Sequence, residues 1–119
     1  MSNELPKPIS RNNAEHYTWG DSCDGYFLLK RAEVHVIEER MPPGTSEQAH
    51  FHERARQSFY VLEGELTMRF DNGDVRVSRG EALEIEPGMV HQARNDSAND
   101  ARFLVMSVPP SRGDRKSKN

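Results

Sequence analysis

His50-Phe51-His52 sets two imidazoles one residue apart. In an extended strand that spacing puts both on one face, about 7 Å apart along the chain, with Phe51 pointing the other way. Two imidazoles side by side make a poor core but a good clamp for a divalent metal ion. Taken alone the pair is a weak signal, because surface histidines fall at this spacing by chance. The chain has five histidines. His91 follows the Pro87-Gly88 turn at the start of a late strand, and Gln57 lies five residues beyond His52, where the chain enters another strand. His35, in Val34-His35-Val36-Ile37, reads as a core or surface histidine, and His16 has no partner that the sequence names.

The elements that must position these groups read as strands. Proline and glycine recur too often for long helices, and between them lie segments rich in β-branched and aromatic residues at 26–30, 34–39, 58–62, 66–70, 75–78, 82–86 and 103–108. Leu66-Thr67-Met68-Arg69-Phe70 alternates with the period of a half-buried strand. Asp71-Asn72-Gly73-Asp74 then signals a hairpin, with Asn-Gly expected to supply the two positive φ values of a type I′ turn. Residues 46–56 contain good helix formers but lack an apolar stripe, so an exposed helical turn is the lesser alternative there. Tyr17 and Trp19 are the expected apolar anchors of a lead-in segment.

Composition narrows the setting. A chain of 119 residues, 34% apolar and 29% charged, fits one domain with a small core. So small a core leaves strand surface half-covered, which suggests a homodimer. The net charge of −3 and the lack of a basic stripe exclude a nucleic-acid reader. No apolar run approaches the roughly 20 residues of a membrane span, and the first eleven residues lack the apolar core of a signal peptide. The single cysteine, Cys23, excludes an intrachain disulfide and fits a reducing cytoplasm. The locally basic end, 112–119, reads as a frayed, solvated terminus, and Arg112-Gly113-Asp114 within it as a chance tripeptide.

The spacings around the histidines are more specific than the histidines themselves. Gly44, five residues, His50-Phe51-His52, four residues, Gln57, six residues and Gly64 form one block. Gly80, seven residues, Gly88, two residues, His91, three residues and Asn95 form a second. Together they closely resemble the two motifs of the cupin superfamily, over about residues 34–108. The resemblance implies an all-β fold, the double-stranded β-helix or jelly-roll barrel. Residues 1–30 are then a lead-in packing on the barrel, 31–110 the barrel itself and 111–119 a flexible basic tail. It implies an inward set of His50, His52, Gln57 and His91 around one divalent metal ion: iron, manganese, nickel, zinc or copper. Asn95 looks like the structural asparagine that closes the second motif, and the block-end glycines allow the tight corners of a small barrel.

Two positions depart from the family pattern. Gln57 stands where glutamate is usual, so the site keeps its full charge and has no carboxylate there to act as a base. Glu86 stands where proline is common, with Pro87 one position later; the turn should survive and Glu86 should be exposed. If Gln57 points inward, Phe59 and Val61 do too. With Leu66, Met68 and Phe70 from the next strand they make an expected apolar pocket wall. Tyr60 then faces outward, toward a dimer contact.

The leading functional expectation is a small metal-dependent enzyme acting on a small organic molecule by oxygenase- or isomerase-type chemistry. A non-enzymatic barrel that binds or senses a small molecule stays open beside it, as does a structural barrel that has lost its site.

Overall fold

The computed structural model describes residues 4–118. Eleven strands follow one another: β1 Glu15–Trp19, β2 Cys23–Lys30, β3 His35–Met41, β4 His50–His52, β5 Arg56–Glu63, β6 Glu65–Phe70, β7 Gly73–Ser78, β8 Ala82–Ile85, β9 Gln92–Arg94, β10 Ala101–Val108 and β11 Arg115–Ser117. Among the described residues there is no helix, so 46–56 carries a strand and not a helical turn. Each segment expected from alternation lies within or overlaps an observed strand.

One wall is a six-stranded antiparallel sheet in the order β1-β2-β3-β10-β5-β8. The other comprises β7-β6-β9 and the pair β4-β11, joined where Ser46 bridges Arg94 and His50 bridges His91. This is the double-stranded β-helix. Its non-consecutive neighbours, β3-β10-β5, place distant segments side by side. Strand alternation turns Ile37, Met41, Phe59, Val61, Phe103 and Val105 inward, where they meet Leu66, Met68, Val77 and Ile85 from the rest of the barrel.

Three local features differ from the sequence reading. The β6-β7 hairpin forms, but only Gly73 takes a positive φ, so Asp71-Asn72 closes it without the type I′ geometry. The segment before residue 30 is not merely laid on the barrel: β1 and β2 extend its large sheet. The basic end is not frayed throughout, because Arg115, Lys116 and Ser117 pair with His52, Phe51 and His50.

The corners follow the motifs. Gly44, Gly64, Gly80 and Gly88 all have φ between +77° and +83°, a region that L side chains avoid. Asn95 is fully buried. Its Nδ2 donates to the carbonyls of Met41 and Asn99, both at 2.8 Å, and its Oδ1 accepts from Ser97 N and Oγ. The side chain thus pins the loop after β9 to the end of β3.

Candidate metal centre

The histidines meet through backbone pairing. His50 and His91 lie opposite each other, with His50 N donating to His91 O at 3.0 Å and His91 N to His50 O at 2.9 Å. His52 shares the His50 face by alternation, and its carbonyl accepts from Gly88 N at 2.7 Å. All three are buried, at 3%, 5% and 1% exposure for His50, His52 and His91. The His50 ring centroid lies 4.9 Å from that of His52 and 4.4 Å from that of His91. One possible ligand atom from each ring lies within 4.8 Å of the others, close enough for a single ion to engage all three.

Hydrogen bonding fixes which nitrogen is free. His50 Nδ1–H donates to Gln48 O at 2.8 Å and His91 Nδ1–H to Met89 O at 2.9 Å. A carbonyl only accepts, so the Nε2 of each neutral ring carries a lone pair. Burial pushes His50 down to about 3 and His52 to about 4, and it lowers His91 as well. All three are therefore neutral at physiological pH. His91 Nε2, His52 Nδ1 and Gln57 Oε1 are buried without a hydrogen-bond partner among the described residues. Unpaired buried acceptors of this kind cost stability unless something engages them. The donor set fits a divalent transition metal.

Gln57 is 6% exposed, and its Nε2 donates to Ser107 Oγ at 3.0 Å. With the amide nitrogen occupied, the carbonyl oxygen is the end left to engage a cation. His50, His52 and Gln57 open on a cavity of about 300 Å³, whose apolar lining includes Trp19, Ile37, Phe59 and Val105. His91 lies outside that lining, its ring against His50.

The expected pocket wall is corrected in part. Phe59 does line the cavity. Val61 and Met68 are completely buried in the barrel core, because that end is filled by side chains, and Phe70 borders separate depressions away from His50 and His52. His35 is buried edge-on against Phe27, and His16 Nε2 lies 2.8 Å from Asp24 Oδ1. Glu86 is exposed, as its place in the turn implied.

Residues 37–107 match the cupin domain family. The chain is a cupin. It is 32% identical over 76 residues to quercetin 2,3-dioxygenase of Bacillus subtilis (strain 168), covering 64% of this chain and 20% of that protein. It is 29% identical over 69 residues to the oxalate-binding protein of Thermotoga maritima, covering 58% and 57% of the two chains. This cupin thus spans less than two thirds of the length of these curated relatives. Among solved structures, the polyketide cyclase RemF from Streptomyces resistomycificus superposes with a TM-score of 0.81 at 23% identity, over 97% of this chain and 87% of that one. That likeness establishes the fold.

The cavity also contains groups that the sequence reading did not place there: Tyr17, Glu39, Glu47 and Arg115. Glu47 Oε2 accepts from Ala93 N at 2.9 Å and lies 3.9 Å from His50 Nδ1, and its Oε1 is 3.8 Å from Arg115. Burial nevertheless raises its carboxyl to about 7. Glu39 reaches the cavity through the strand register, and Glu47 lies in the connection three residues before His50, held by its bonds to Ala93.

Proposed function

We propose that this cupin is a metal-dependent enzyme acting on a small organic molecule, with oxygenase- or isomerase-type chemistry. His50, His52 and His91 hold the metal, and Gln57 offers a weak neutral fourth oxygen. The observation that carries this reading is the convergence of three neutral imidazoles, with His52 Nδ1, His91 Nε2 and Gln57 Oε1 buried and unpartnered among the described residues, beside a cavity of small-molecule size. A divalent ion bound there supplies Lewis-acid or oxygen-activating chemistry. The likeness to quercetin 2,3-dioxygenase supports the enzyme class and leaves the substrate and metal open.

Metal analysis of freshly purified protein tests it. Wild type should carry close to one equivalent of a divalent metal, and His50→Ala and His52→Ala should lose most of it. Substoichiometric metal in every sample would sink the proposal. The second reading, a barrel that binds or senses a metabolite without catalysis, draws support from Gln57 and from the oxalate-binding relative. It predicts thermal stabilisation by metabolites whether or not metal is present.

We place the protein in the cytoplasm as a homodimer. Its single free thiol and the exposed Tyr60, Met106 and Val108 on β5 and β10 support that placement. Among the described residues no helix is long and apolar enough to cross a membrane. Sedimentation of wild type and Tyr60→Lys checks the dimer. The wild type should run as two copies and the variant should shift toward one.

A further inference from the structure

Three strands carry one row of residues across the sheet. Tyr17 on β1 pairs with Gly25 on β2, and Gly25 pairs with Glu39 on β3. Gly25 provides no side chain, and the Tyr17 phenol lies in the space left. A Cβ at Gly25 would come within 2.2 Å of Tyr17 Cζ and 2.5 Å of Oη. Across this saddle Tyr17 Oη donates to Glu39 Oε2 at 3.0 Å. Glu39 Oε1 accepts no hydrogen bond, and no cation pairs with the carboxyl, among the described residues. Both side chains line the cavity that His50 and His52 open on.

We propose that Glu39 takes the proton of an acidic hydroxyl, phenolic or enolic, on the molecule bound in this cavity, with Tyr17 as its positioning residue. The ligand O–H bond breaks and an O–H bond to Glu39 Oε1 forms. The electron pair stays on the ligand oxygen, so nothing is oxidised or reduced. The inference rests on the reading of this cavity as a small-molecule site and assigns the base that Gln57 cannot be.

Several features fit that role. Trp19, Tyr17 and Phe59 line the cavity and suit a flat ring. Burial, then the charge of Glu47, pushes the Glu39 carboxyl up to about 8, while the Tyr17 hydrogen bond and Arg115 pull the other way. A base of that strength is matched to phenols, which ionise near pH ~10 in water, and too weak for aliphatic alcohols. Burial and Glu39 hold Tyr17 itself protonated, so it remains a donor. Glu47 and Arg115 act on the Glu39 charge, which acts in turn on the Cys23 thiol, and Arg112, His50 and His52 line the same cavity. The strand neighbours of Glu39 on β2 and β10, Gly25 and Phe103, are not titratable.

The test uses protein stripped of metal with a chelator, so failure of the metal site and failure of this pair register separately. The probe is 4-nitrophenol, whose hydroxyl ionises near neutrality and whose phenolate absorbs in the visible. If one proton is shared between probe and Glu39, affinity should be bell-shaped in pH. The probe sets the acid limb and Glu39 the alkaline limb. Glu39→Gln should weaken binding about tenfold near neutral pH and abolish the alkaline limb. Tyr17→Phe removes a bond that favours the carboxylate, so it should move that limb to higher pH. Gly25→Ala, which displaces the phenol without deleting a polar group, should move it the same way. Thermal melts show that each variant is folded. The proposal is overturned if folded Glu39→Gln keeps the wild-type affinity and pH profile. Absence of saturable binding to wild type overturns it equally.

Discussion

Gln57 differs from a carboxylate in charge and in nothing else that matters for reach. Its Nε2 is spent on Ser107 Oγ, and its buried Oε1 has no partner among the described residues. Gln57→Glu places a negative charge where that oxygen stands, next to the imidazoles. Competition with a chelator should show metal affinity rising about tenfold or more, since even one well-screened charge pair at contact is worth over a kilocalorie per mole. The same variant without metal should melt below wild type, because the new carboxylate is buried with no cation facing it. Unchanged metal affinity would place residue 57 outside the coordination sphere. The position itself was legible from the motif spacing. The tautomers of His50 and His91 were not, because they depend on the carbonyls of Gln48 and Met89 curling back to the rings. Nor was the depth of the pocket: alternation orders Val61 and Met68 inward correctly but cannot say where the barrel fills.

Among the elements, the short pair β4-β11 bears most directly on the site. β4 has three residues, two of them histidines, and its edge is closed by Arg115, Lys116 and Ser117. Asp114, just before β11, is 4% exposed. Its Oδ2 accepts from Ala55 N at 2.8 Å and Arg54 N at 3.0 Å, and its Oδ1 from Glu53 N at 3.2 Å. Burial alone would raise this carboxyl, but those three backbone bonds outweigh it and hold it below the usual range. Asp114→Ala strands three donors in the turn that follows His52. It should cost about 3 kcal/mol in urea unfolding and weaken metal binding, whereas Arg112→Ala should cost little. A loss under about 0.5 kcal/mol, the scale of an ordinary surface change, would show the turn is held by other contacts. This strand could not be read in advance. Arg115-Lys116-Ser117 has no apolar alternation, and its place comes from backbone pairing alone. The segments around β3, β5, β6 and β10 were legible because each has a buried face that imposes period two.

At the scale of the whole molecule the barrel wraps a polar site in an apolar shell, and stability should therefore respond to pH from both sides. The sequence motifs reach the shell and the histidines. Glu39 enters through the register of β1, β2 and β3, and Glu47 from the connection before β4, where it bonds to Ala93; together they set the alkaline side. In metal-free protein Glu39 titrates at about 8 and Glu47 at about 7, against 4.5 for either when unfolded. Between these values the native state binds more protons than the unfolded chain, so their contribution to stability falls as pH rises. The histidines act in the opposite sense. His50 and His52 titrate at about 3 and 4 when folded and at 6.5 when unfolded, and His91 is lowered too. Below pH 6.5 the unfolded chain takes up protons that the native rings refuse, so stability falls with acid. From 4.5 to 6.5 the two sets oppose each other, three histidines against two glutamates, and they balance only toward the upper end. Above that window the glutamates dominate, and below it the histidines do, joined by Asp114 and Asp24, whose carboxyls are held below the usual range. The Tm of chelator-treated protein should therefore peak near pH 6, fall gently to pH 8 and drop steeply below pH 4.5. Glu39→Gln should flatten the alkaline fall and leave the acid drop in place. A wild-type Tm that climbs steadily from pH 6 to pH 8 would mean that both carboxyls ionise as if in water, and the cavity would then have no base poised near neutrality.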